Sequence, residues 1–226
     1  MDNPIIRSFA FALAVATLVI SNPALAETED AAETIVTTQD IKEGTQFRDY
    51  LESMPHRQAR AAVAAQEDLA ANRFCEEGYT MVPVAVKILA PVESVAGTAG
   101  PVSGRWMERV SGERCGETFV YNFLFEADGT RIEALPVALG TTGLDPDLIR
   151  DLRPVVVPLA SIEGCSQKAL IDTAQGLPEG FAPEEPDSRY ETWTVSGCGA
   201  LVDMILRIGR FDDGRIKVDI ESQQPG

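Results

Sequence analysis

Histidine occurs once in this chain, at His56. A zinc site needs clustered thiolates or imidazoles, and the sequence offers neither. A general base at His56 would also need a nucleophile, and no Gly-x-Ser-x-Gly elbow is present. His56 is therefore read as a surface residue of a helix. Cysteine is nearly as scarce, with four in all. None forms a Cys-x-x-Cys pair, which argues against thiol redox catalysis. Glycine-rich phosphate loops are missing, so no nucleotide cofactor is expected, nor any other. Basic residues are in deficit: 19 Lys and Arg against 35 Asp and Glu give a net charge of −16. Such a surface repels phosphate backbones and anionic lipid, so nucleic acid is excluded as a partner.

What is present begins at the N-terminus. Arg7 precedes an apolar run, Ser8 to Ile20, broken by Asn22-Pro23 and followed by Ala24-Leu25-Ala26. That is the pattern of a secretory signal over residues 1–26, cleaved before Glu27. The run is short for a membrane anchor, and acids follow it at once. No later segment is apolar enough to span a bilayer, so no span is expected after signal removal. Residues 27–44 read as a flexible acidic leader. The remainder permits one large domain or two small ones.

The cysteines occupy two matched settings. Cys75 and Cys165 each follow a candidate helix. Cys115-Gly116 and Cys198-Gly199 each open a candidate strand that runs to an Asp-Gly turn. The fold class is accordingly read as α+β: two related units, residues 45–140 and 141–226, each a helix packed on a small antiparallel β-meander, an internal repeat. In the first unit Phe47, Leu51, Met54, Ala61, Ala65 and Leu69 recur at helical spacing. Ser53 would cap a second piece, with Pro55 in its first turn. Val95 to Gly104 reads as a loop, and Phe119, Tyr121, Phe123 and Phe125 share one face of a strand. In the second unit Asp145-Pro146 opens a helix, Gly176 to Asp187 is a loop, and the last strand alternates Ile216, Val218 and Ile220 inward with Lys217, Asp219 and Glu221 outward. Four exported cysteines permit three pairings. Cys75–Cys115 and Cys165–Cys198 are preferred, because each stays within one unit and ties a helix end to a strand.

Candidate chemistry is thin. Glu108 and Glu191 hold comparable places in two aromatic strands and could flank a groove as an acid–base pair. The plainer expectation is that each is an outward strand charge facing Arg105, Arg109 or Arg189. Asp145, Asp147 and Asp151 lack the calcium-loop pattern. Trp106 and Trp193 are expected in the core. The catalytic, cofactor and metal lists are therefore empty.

The run Tyr190 to Gly199 (YETWTVSGCG) and the stretch Leu135-Pro136 to Asp145-Pro146-Asp147-Leu148 resemble a family of small secreted proteobacterial proteins with a Trp-Glu-Trp-Val-Cys-Gly type motif. Tyr190 stands where that family usually has its first Trp. The likeness spans roughly residues 130 to 221 and implies a Gram-negative envelope protein, periplasmic or secreted, with no known activity to carry over. The leading functional expectation is a non-enzymatic binding or scaffolding protein, with an envelope protein or small ligand as partner. The alternatives are a carboxylate-based hydrolase, with or without a metal, and a disulfide-stapled enzyme inhibitor presenting Val95 to Gly104 or Gly176 to Asp187.

Overall fold

A computed structural model of the chain describes residues 17–20, 35–37, 45–71, 73, 76, 79–183, 185, 188–213 and 215–226. Two antiparallel meanders dominate. One consists of β3 (Thr80–Ser94), β4 (Pro101–Arg114), β5 (Glu117–Asp128) and β6 (Ile132–Leu139). The other consists of β7 (Lys168–Gln175), β8 (Arg189–Gly197), β9 (Ala200–Arg210) and β10 (Ile216–Pro225). A short strand adds to one edge of each: β2 (Ile35–Thr37) beside β3, and β1 (Thr17–Ile20) beside β10. The helices are α1 (Gln46–Glu52), α2 (Met54–Ala70) and α3 (Pro146–Val156).

This corrects the α+β expectation of two helix-plus-meander units. Among the described residues strand outweighs helix 51 % to 22 %, so the protein is mostly β. Nor do the helices divide one to a unit. Leu148, Ile149, Leu152 and Val156 of α3 lie in a core that takes Leu124, Val137 and Ala138 from the first sheet and Trp193, Val195, Met204 and Leu206 from the second. That helix is filling shared between two sheets. α1 and α2 cover the other face of the first sheet, over Val86, Trp106, Val110, Tyr121, Phe123 and Phe125.

Local chemistry explains the element ends. Thr45 caps α1 by accepting from the Arg48 amide at 3.3 Å, and Ser53 caps α2 by accepting from the His56 amide at 3.4 Å. Pro55 falls in the first turn of α2, where its missing N–H costs nothing. The expected break between the two helices is therefore one serine wide. Asp145 caps α3 through the Asp147 amide at 2.9 Å. The stretch Val95 to Gly104, expected as a loop, is a tight turn only up to Gly100, because β4 already begins at Pro101. Cys115-Gly116 and Cys198-Gly199 are themselves the hairpin turns. Both residues of each pair have positive φ (44° and 76°, 49° and 81°), the geometry that matches the twist of flanking strands.

The sheets meet along one seam. The Thr141 amide donates to the Thr173 carbonyl at 2.6 Å, and the Thr173 hydroxyl donates to the Leu139 carbonyl at 2.5 Å. Gly140, at φ 91°, makes this approach possible, since a side chain there would collide with the Thr173 backbone.

A second tie crosses from β4 to α3. Arg105 reaches both oxygens of Asp147, at 2.5 and 2.6 Å, and also Glu126 at 2.8 Å. Hydrogen bonding to Arg105, against the opposing pull of burial, holds the Asp147 carboxyl below its usual range. A carboxylate with a depressed folded-state pKa contributes stability above its unfolded pKa and loses it as pH falls through the folded value. Asp147→Asn is expected to lower the unfolding free energy by about 1 kcal/mol at pH 7. The deficit relative to wild type should shrink below about pH 4 and vanish once the wild-type carboxyl is protonated. Urea titrations from pH 7 downward check this; a deficit independent of pH would rule out the ion pair as its source.

Candidate functional site

The buried face of α2 is not the apolar stripe expected from its spacing. Met54 and Leu69 are exposed, at 61 % and 68 %, while His56, Arg60, Val63, Ala64 and Asp68 are buried. His56, Arg60, Ala64 and Asp68 follow one another at four-residue intervals, so they share one face of the helix. That face meets β4, whose alternate residues Trp106, Glu108, Val110, Gly112 and Arg114 point the same way. Charge on the helix is matched by opposite charge on the strand. That is why a polar face can turn inward.

Two buried centres result. In the first, the Glu108 carboxylate accepts from His56 Nε2 at 2.6 Å and from Trp106 Nε1 at 2.9 Å on one oxygen, and from Arg60 Nη1 at 3.0 Å on the other. Glu108 is 1 % exposed. The expectations of a surface His56 and an outward Glu108 are therefore both corrected: each is buried because it completes the other. Tyr50 and Phe125 flank the imidazole, each with ring centroids 4.6 Å away. Burial, reinforced by the nearby Glu108 charge, pushes the Tyr50 phenol up to about 12. In the second centre, Asp68 pairs with Arg114 and accepts from the Tyr121 hydroxyl at 2.8 Å. Burial, only partly offset by Arg114, likewise raises Tyr121 to about 12. Both phenols thus stay neutral at physiological pH. Phe119 sits between the guanidinium groups of Arg73 and Arg114, at 4.7 and 3.9 Å.

Glu191 lies elsewhere. It is fully buried and accepts from the Thr142 hydroxyl at 2.9 Å and the Gly143 amide at 2.8 Å. Those contacts fix the loop before α3. Arg189, two residues along the same strand, approaches to 3.8 Å, so the expected outward charge paired across the sheet is corrected for Glu191 as well. Glu108 bonds Trp106 of the α1–α2 core and Glu191 bonds Trp193 of the α3 core, so the two carboxylates do not flank a common groove. Trp106 and Trp193 are core residues as expected, both at 0 % exposure. Each donates its indole N–H to the glutamate two residues away on the same strand face. Asp219, expected outward, is buried at 3 % because Arg207 and Lys217 bond it at 2.9 and 2.8 Å. Asp145 and Asp147 serve as a helix cap and an ion-pair partner.

Cys165 and Cys198 form a disulfide. Cys115 holds no free thiol, and Cys75, its expected partner, lies outside the described residues. Among the described residues no helix is long and apolar enough to cross a membrane. No cluster of three or more His, Cys, Asp or Glu among them is placed to hold a metal.

What this arrangement can do chemically is limited by access. A general acid or base must come within hydrogen-bond distance of a substrate proton, and Glu108 and Glu191 have every approach filled by their own chain. Arg60 is different. It is the member of the Glu108 centre that also lines an open pocket of about 390 Å³ between α1, α2 and β3. Sequence reasoning missed this site because it places His56 at the surface and does not single out Arg60. Their spacing against Asp68, set beside Glu108 and Arg114 at even spacing on a strand, is the signal that could have found it.

Compared with known proteins, the chain matches no family model, no curated protein and no solved structure.

Proposed function

We propose that this is a non-enzymatic binding or scaffolding protein of the Gram-negative cell envelope. The observation that carries the reading is the burial of every side chain that sequence reasoning had offered as an acid–base pair. Glu108 and Glu191 are at most 1 % exposed, lie in different cores and are held by internal donors. A carboxylate hydrolase needs its carboxyls facing one cleft. The signal-like residues 1–26, the disulfide and the resemblance over residues 130 to 221 support export. With the signal removed at Ala26, β1 would leave with it and the second sheet would keep its four meander strands.

The test has two readouts. Cell fractionation is expected to place the chain in the periplasmic or secreted fraction with Glu27 as its first residue. The purified mature protein is then offered esters, phosphomonoesters, glycosides and peptides, with and without magnesium or zinc. No turnover above buffer is expected. Turnover that disappears in Glu108→Gln or Glu191→Gln would overturn the reading.

A further inference from the structure

The pocket between α1, α2 and β3 carries an inference about ligand class; it deepens the binding function just proposed and rests on it. Its charged lining is unlike the rest of this acidic chain. Arg48 comes from α1, and Arg57 and Arg60 come from successive turns of α2. Arg60 is 97 % buried at its side chain (3 % exposed), yet its Nε–H finds no acceptor among the described residues. A buried donor left unpaired is costly, and it leaves Arg60 with hydrogen-bonding capacity that Glu108 does not use.

The charge balance selects the ligand. Arg48 is paired with Glu52 at 3.1 Å, and Arg60 with Glu108 at 3.0 Å. Arg57 is exposed and makes no ion pair or hydrogen bond among the described residues. Among the ion pairs of the described residues about one positive charge is left over, which suits a monoanion. A dianionic phosphate would leave negative charge uncompensated beside Glu52. The remaining walls are apolar: Leu51 of α1 and Met81, Val82 and Pro83 of β3. Val82 is 60 % exposed, an apolar side chain open to a ligand. The volume of 390 Å³ falls in the range of small-molecule sites.

We propose that this pocket binds a small monocarboxylate with an apolar tail. The carboxylate sits on Arg57 and Arg60, and the tail lies against Leu51, Met81, Val82 and Pro83.

The experiment is calorimetric titration of the mature protein with decanoate below its micellar concentration. Acetate, decanol and decyl phosphate are titrated in parallel. Decanoate is expected to saturate one site, with acetate and decanol each weaker by about tenfold or more. Arg57→Glu should weaken decanoate by about tenfold or more while leaving the melting temperature unchanged, because Arg57 has no partner to lose. Val82→Asp should weaken it similarly. Equal affinity for decanol, tighter binding of decyl phosphate, or an unchanged affinity in Arg57→Glu would overturn the assignment. So would the absence of saturable decanoate binding. None of these results bears on the non-enzymatic reading, which stands or falls on turnover.

Discussion

Glu108→Ala is expected to lower the unfolding free energy by about 4 kcal/mol, the effect of removing one partner from a buried ion pair. The carboxylate holds three donors at once: His56, Trp106 and Arg60. Without it the Arg60 guanidinium stays buried with no counter-charge, and two further donors lose their acceptor. For a chain of this size the loss corresponds to a fall of roughly 10 °C in melting temperature. The cost comes from what is left unpaired, not from the attraction itself. Glu108→Leu combined with Arg60→Met should therefore recover part of it, since no orphaned charge remains. Urea unfolding of the single and double variants checks this. A double variant whose loss equals the sum of the two single losses would show that the groups are not coupled.

Loss of the Cys165–Cys198 disulfide is expected to cost a similar amount. The cysteines are 33 positions apart, and closing a loop of that length in the unfolded chain is worth about 4 kcal/mol on the chain-entropy account. Cys198 has a second constraint: it sits at φ 49°, a region that residues carrying a Cβ enter at a cost. Cys165→Ala with Cys198→Gly should thus be about 1 kcal/mol less destabilised than Cys165→Ala with Cys198→Ala. Comparing urea midpoints of the oxidised protein, the reduced protein and both variants measures each contribution. A midpoint indifferent to reductant would show that the crosslink contributes nothing.

The hairpin turn also shows how sequence reading went astray. Cys-Gly, expected at the start of a strand, is the two-residue turn between strands. Asn-Gly and Asp-Gly are the familiar signatures of such turns, and Cys-Gly is not among them. The α2 stripe failed for a related reason. Hydrophobic periodicity assigns charged residues to solvent, and that rule breaks when a strand distant in sequence supplies compensating charge. Nothing within Met54–Ala70 distinguishes Arg60, which is buried, from Arg57, which is exposed. The difference comes from Glu108, 48 positions away. The α+β expectation failed because the strands run longer than their apolar centres. β3 extends to Ser94 and β4 starts at Pro101, through Gly, Ser and Pro residues that composition marks as loop.

Short-range physics settled a good deal from the sequence alone. The caps at Ser53 and Asp145, the aromatic face of β5 and the interior position of both tryptophans follow from residue type and local spacing, because a cap or an alternating strand is decided within a few residues. The tertiary structure decided which charges go inside, where α3 packs, and that Arg60 opens onto a pocket. Each of these depends on a partner tens of residues away, and the energy of a buried charge is set by that partner and not by its neighbours along the chain.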